Sequence, residues 1–425
     1  MADEHDPYAA LRHRDYRRLL GGTILAGLGS EVQATAVGWE VFEQTGRNDL
    51  IGYVGLVQFL PVLLFSLPAG QAADRYSRKG QLAVALGLLA VASLGLAARS
   101  FLGADIRLVY PCLLLAGIGR AFSAPARWAL VPTVVPAEHL GNAVTWNSSG
   151  WQVAFAVGPS LGGLVIALTS GAAAAYLIAA ACAVVTAVLI ITITPQSPPR
   201  AVEGRSLASL LAGAKFIGRT KLILATITLD LFAVLFGGAI ALLPAYAKEI
   251  LHVGPIGFGW LRAAPALGAL GMAVALAHRP PLRRAGRTLL WAVAGFGVAT
   301  IVFGLSQNFV LSFVMLAVTG ALDNISVVVR GTLVQVLTPD AMRGRVSAVN
   351  AIFIDSSNRL GDFESGMTAQ WFGPVASVVG GGVGTILVVL AVMALWPEVL
   401  RLGELHRAGE EQPAPAELPT DQPIR

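Results

Sequence analysis

Six carboxylates, Glu31, Asp230, Asp323, Asp355, Asp362 and Glu364, stand inside stretches that are otherwise apolar, in company with Arg120, Arg127, Arg262, Arg330 and Arg359. An ionised acid against lipid at mid-depth costs about 3 kcal/mol, so each must face a cavity, find a partner or take up a proton. Glu31 is the sharpest case: it lies about midway along its run, with Gln33 close by and no basic residue within a helical turn. Asp230 has a comparable depth in the seventh run. For these two, handling of protons or substrate cations competes with plain hydrogen bonding between helices. Arg120 is placed either to attract an anionic substrate or to pair with Asp323 or Glu31. Asp355 and Arg359, four apart, share a helix face and are expected to pair locally.

Other chemistries find less support. Gly158-Pro159-Ser160-Leu161-Gly162 fits the G-x-S-x-G nucleophile pattern, but that motif needs a strand, a sharp turn and a helix, and here it lies in an apolar run where small residues serve helix packing. No lysine follows a glycine and no H-E-x-x-H occurs, so a G-K-[ST] phosphate loop and a zincin site are excluded. Cys112 and Cys182 sit in apolar runs with no metal-ligand spacing. Neither a metal nor a cofactor is expected.

The elements that carry these residues follow from composition. The 425 residues are 55% hydrophobic and 13% charged with mean hydropathy +0.68, whereas a soluble domain carries about 25% charged residues. Runs of about 20 apolar residues recur twelve times. Of the 30 Lys and Arg, 21 fall on one set of alternating connections, including Arg12 to Arg18, Arg75 to Lys79, Arg279 to Arg287 and Arg343 to Arg345. The positive-inside rule then puts both termini in the cytoplasm. The pI of about 9.5 thus reports topology, and no nucleic-acid partner is implied. The expected fold is an all-α integral membrane protein: a cytoplasmic tail (1–18), a six-helix bundle (19–194), a cytoplasmic linker (195–220), a second six-helix bundle (221–396) and a disordered cytoplasmic tail (397–425). Within the linker, Leu207, Leu210, Leu211 and Phe216 have the spacing of a short helix lying on the membrane face.

The halves are related. Gly117 and Gly320, Arg127 and Arg330, Asn147 and Asn350, Gly158 and Gly361, and Gly163 and Gly366 are identical pairs 203 residues apart. Internal symmetry of six-span halves marks secondary transporters. The chain resembles the major facilitator superfamily in Gly70-Gln-Ala-Ala-Asp74-Arg75-Tyr-Ser-Arg78-Lys79, similar to its motif A with Ser77 in place of the second glycine. It does so again in Gly158-Pro159-Ser160-Leu161-Gly162-Gly163, similar to the core of its antiporter motif C. The segments Gly320-Ala-Leu-Asp323-Asn324, Arg330-Gly331-Thr-Leu-Val-Gln335 and Gly361-Asp362-Phe363-Glu364-Ser365-Gly366 are similar to its siderophore and drug exporter branch.

The resemblance implies two pseudo-symmetric bundles, alternating access, and a cytoplasmic gate of Gly70, Asp74, Arg75, Arg78, Arg127 and Arg330, with Lys79 nearby. Under an offset of 204, which aligns Pro61 with Pro265, Asp74 falls on His278, so the second half lacks the gate acid. Glu31, Asp230, Asp323 and Arg120 are then the coupling candidates, and Gly158, Pro159, Gly162 and Gly163 the helix-packing motif. The expected activity is proton-coupled export of a siderophore, drug-like or other amphipathic small molecule across a plasma membrane, bacterial inner membrane by this branch, by a monomer. Metabolite uptake, a membrane-embedded hydrolase using Ser160, and a non-transporting sensor remain the alternatives.

Overall fold

The computed structural model describes residues 6–194, 207–279 and 284–403; the side chains of Asp74, Leu207 and Ala341 lie outside that description. Most of the expected disordered tail and the first part of the linker also fall outside it. Six helices form the first half: α1 (Arg14–Thr45), α2 (Asn48–Arg75), α3 (Arg78–Leu102), α4 (Val109–Leu130), α5 (Leu140–Thr169) and α6 (Ala173–Ile191). The linker contributes α7 (Leu207–Arg219). Six more helices form the second half: α8 (Lys221–Phe236, continued irregularly to Ile250), α9 (Gly254–Ala277), α10 (Ala285–Leu305), α11 (Phe309–Leu337), α12 (Asp340–Phe372) and α13 (Pro374–Leu395).

Among the described residues, ten helices are long and apolar enough to cross a membrane; α1 and α12 fall outside that set. Both are long, 32 and 33 residues, or about 48 Å at 1.5 Å per residue against a hydrocarbon core of about 30 Å. They miss on composition, because α1 carries Glu31, Gln33 and Glu40, and α12 carries Asp355, Arg359, Asp362 and Glu364. Two polar helices can sit in a bilayer only if their polar faces turn inward, and these two lie where the halves meet.

Glycines set the close approaches. A β-carbon at Gly27 would fall 2.8 Å from Ala154, and one at Gly162 would fall 3.0 Å from Thr35, so α1 and α5 run side by side. One at Gly366 would reach the Asn48 carbonyl at 2.8 Å, which holds α12 against α2 across the halves. Gly163 faces the Pro255 carbonyl and Gly259, which brings α5 against α9. Small residues at such crossings let backbones pack closely where lipid offers no hydrophobic drive. The α1–α2 and α3–α4 turns close on Gly46 (φ +61°) and Gly103 (φ +60°), left-handed helix ends that favour glycine.

The buried apolar residues divide unequally along the bundle. At the face distal from the termini one core spans both halves, with Trp39, Phe42 and Tyr176 of the first half and Tyr246, Phe258 and Phe303 of the second. Toward the terminal face each half has its own core, Tyr16, Leu19, Leu130 and Ile190 in one and Leu289, Leu333, Val346 and Val399 in the other. Asn48 N–H donates to Gln370 Oε1 at 3.1 Å, and Lys248 Nζ donates to the Glu43 carbonyl at 3.4 Å, both across the distal seam. The protein is sealed at its distal face.

Candidate functional site

Glu31 lies on the face of α1 that meets α5. Gly158 makes room for it: a β-carbon there would fall 2.5 Å from Glu31 Cβ. Glu31 Oε2 is 3.7 Å from Arg262 Nη2, which comes from α9 in the other half; the side chains are 14% and 20% exposed. At that separation the two form an ion pair without a hydrogen bond. Arg120 on α4 donates to Gln58 Oε1 on α2, and it lies in electrostatic range of Glu31, Asp355 and Arg359. Arg359 pairs with Asp362 at 3.7 Å, one helical turn onward, rather than with Asp355. Charged groups of α1, α4, α9 and α12 therefore converge at the seam between halves. Arg120 Nε, Arg262 Nε and Ser160 Oγ are buried there without a hydrogen-bond partner among the described residues. Such donors are available to a polar group that enters the site.

A second cluster lies wholly within the second half. Arg330 on α11 is ion-paired with Asp230 on α8, at side-chain exposures of 4% and 8%. Asp323, two turns before Arg330, lines a void of about 10 Å3 with Asp230, Phe296 and Ser326, room for about one water. Asp230 and Arg330, expected in coupling and in the gate respectively, are thus direct partners. Asp323 lies beside them, and Arg120 is in the other half. Arg127, the repeat mate of Arg330, instead lies over the Trp151 ring at 4.7 Å.

The motif A segment spans the α2–α3 turn at the terminal face. Gly70 is buried and Arg75 exposed on α2; Asp74 lies on the same helix, its side chain outside the described residues. Arg78 Nη1 donates to the Ala129 carbonyl at 2.9 Å and Lys79 Nζ to the Ile193 carbonyl at 2.8 Å, so these bonds fasten α3 to the ends of α4 and α6. Ser77, at the position the motif gives to glycine, has φ −58° and accepts from Gly80 N–H as the N-cap of α3. No glycine is needed at that φ, and the hydroxyl satisfies one of the free N–H groups. In α5, Pro159 and Ser160 lie within one uninterrupted helix, with no strand or sharp turn to expose a nucleophile.

One buried cluster has no counterpart in the sequence reading. Glu40, near the distal end of α1, is ion-paired with Arg99 at 2.9 Å, the side chains 5% and 3% exposed. It also accepts from Ser100 Oγ at 2.6 Å and from Tyr176 OH at 2.9 Å. By sequence Arg99 belongs with the distal loops, and Glu40 escapes the six acids because it stands near the end of its run. Nothing local joins them; only the packing of α1, α3 and α6 does.

A family profile described as transmembrane secretion effector matches residues 5–415. Over 351 residues the chain is 30% identical to a protein named enterobactin exporter EntS from Citrobacter koseri, covering 82% of each chain. It is 28% identical over 333 residues to one of the same name from Shigella boydii, covering 78% of this chain and 80% of that one. In fold it is similar to a bacterial homolog of the human lysosomal transporter Spinster in an inward-facing, occupied conformation, with TM-score 0.73, 15% identity, and 93% and 98% of the two chains covered. It is also similar to the nucleoside transporter NupG, with TM-score 0.70, 14% identity, and 90% and 99% covered.

Proposed function

From the premise that the chain belongs to the transmembrane secretion effector family of the major facilitator superfamily, and is a multi-pass membrane transporter rather than an enzyme, we propose that it exports a siderophore or similar amphipathic small molecule in exchange for protons, by alternating access. In this reading both termini are cytoplasmic, the sealed distal face is the outer one, and the protein works as a monomer in a bacterial inner membrane. The 21 basic residues on the terminal side support that orientation.

The observation that carries the proposal is the Glu31–Arg262 pair, which joins the halves at the sealed seam. Ionised and intact, it holds the halves together. A proton on Glu31, or a substrate group that takes Arg262 or Glu31, dissolves it. The loaded states can then rock and the empty one cannot, which is the condition for exchange rather than leak. The gate around Asp74, Arg75 and Arg78 would close the terminal face in the opposite state.

Proteoliposomes test this. Enterobactin efflux should drive proton influx in the parent, and Glu31→Gln, alone or with Asp230→Asn, should abolish the proton flux. Coupled flux unchanged in these variants would sink the proposal.

A further inference from the structure

The repeat places Arg262 in an unexpected relation to Asp323. In the first half Gly117 packs against Pro61, a β-carbon there falling 3.0 Å from the ring. One turn along each helix, Arg120 donates to Gln58. In the second half Gly320 packs against Pro265, and Gly268 against the Ala317 carbonyl, the same antiparallel register between α9 and α11. One turn along from Pro265 and Gly320 stand Arg262 and Asp323. They occupy the positions of Gln58 and Arg120, so a contact between them is the symmetric equivalent of a hydrogen bond that the first half already makes. Arg262 is instead turned across the seam to Glu31. Asp323 makes no ion pair among the described residues; it lines the small void beside Asp230 and Ser326.

We propose that Arg262 is a two-partner positioning residue, held by Glu31 of the opposite half while the distal face is sealed and by Asp323 of its own half once Glu31 is protonated. The inference rests on the coupling role given to Glu31 above and adds the destination of the released guanidinium. Without Asp323, breaking the cross-half pair would leave a largely buried arginine, which cannot lose its charge, with only Asp362 in range among the described residues, a carboxylate already paired with Arg359. Asp323 lowers that cost and so favours opening. Of the other charges at the seam, Arg120 on α4 is in range of Glu31 and Asp362 on α12 is in range of Arg262, and Asp355 and Arg359 on α12 surround those two; Asp323 itself lies beside Asp230. Arg120, Asp355, Arg359 and Asp362 are not altered in the variants below, so they are a background common to all.

The test reads the distal opening directly. With Cys112→Ser and Cys182→Ser as background, spin labels at Arg107→Cys and Glu249→Cys report the separation of the halves at the distal face in lipid nanodiscs. In the parent a long-distance population should grow as pH falls. Asp323→Asn should move the midpoint of that transition down by about one pH unit or more, a tenfold change in the equilibrium. Asp323→Glu, which keeps the acceptor, should retain the parent midpoint, and this separates the role from simple folding damage. In an Arg262→Gln background Asp323→Asn should have no further effect, as a shared pathway requires. An Asp323→Asn midpoint equal to the parent's, or a shift that persists without Arg262, overturns the swap while leaving the coupling proposal intact. A parent with no pH response overturns both.

Discussion

Removing the Asp230 carboxylate should be the most damaging single change to the second half. Arg330 is 4% exposed and lies on α11 between Val329 and Leu333, both members of a buried apolar cluster. A lone carboxylic acid can become neutral by taking up a proton; an arginine cannot. Asp230→Ala therefore leaves a buried cation without its ion-pair partner, a loss of about 3–5 kcal/mol. With an unfolding entropy of about 2.1 cal/mol/K per residue, a chain of 425 residues would lose roughly 3–6 °C in Tm. The control is Asp340→Ala, which breaks the Arg343–Asp340 pair at side-chain exposures of 54% and 87% and should cost at most about 1 kcal/mol. Arg330→Met combined with Asp230→Leu should recover most of the loss, because two well-packed apolar groups replace a pair whose desolvation nearly cancels its attraction. Thermal unfolding of the purified protein in detergent micelles measures all three. An Asp230→Ala variant as mild as Asp340→Ala, or a double variant no better than the single, would refute the counter-ion role of Asp230.

Ser77→Ala should cost about 1 kcal/mol and Ser77→Gly only a few tenths, with faster amide exchange at the start of α3; equal effects would remove the capping account. Gly163→Val drives a side chain into the Pro255 carbonyl and Gly259, so the distal spin-label distance should lengthen even at high pH, and an unchanged distribution would refute the seal assigned to that crossing. Tyr176→Phe deletes a buried hydroxyl that donates to the Glu40 carboxylate. A loss of about 1.5–3 kcal/mol is expected in the same melting assay, and no loss would show that Arg99 and Ser100 satisfy Glu40 without it.

The chain order of the helices was legible because membrane insertion reads local quantities: length, apolar content and the side on which basic residues collect. The relation of the halves was legible too, since Gly117 and Gly320 must each let a proline of the neighbouring helix approach closely. Ser77 shows the limit of motif reading, for its φ and its cap bond are visible only once α3 begins there. Partners were less accessible. Asp355 shares a helix face with Arg359 by spacing, yet the guanidinium lies against Asp362.

From the sequence alone came a helical membrane protein, its duplicated halves, its basic face and the scarcity of charges within its spans, all fixed by the cost of polar groups in hydrocarbon. Tertiary structure decided which charges meet. Glu31 with Arg262, Asp230 with Arg330 and Glu40 with Arg99 are separated by 231, 100 and 59 residues, and an ion pair depends on the last few ångströms between helices that no local pattern encodes.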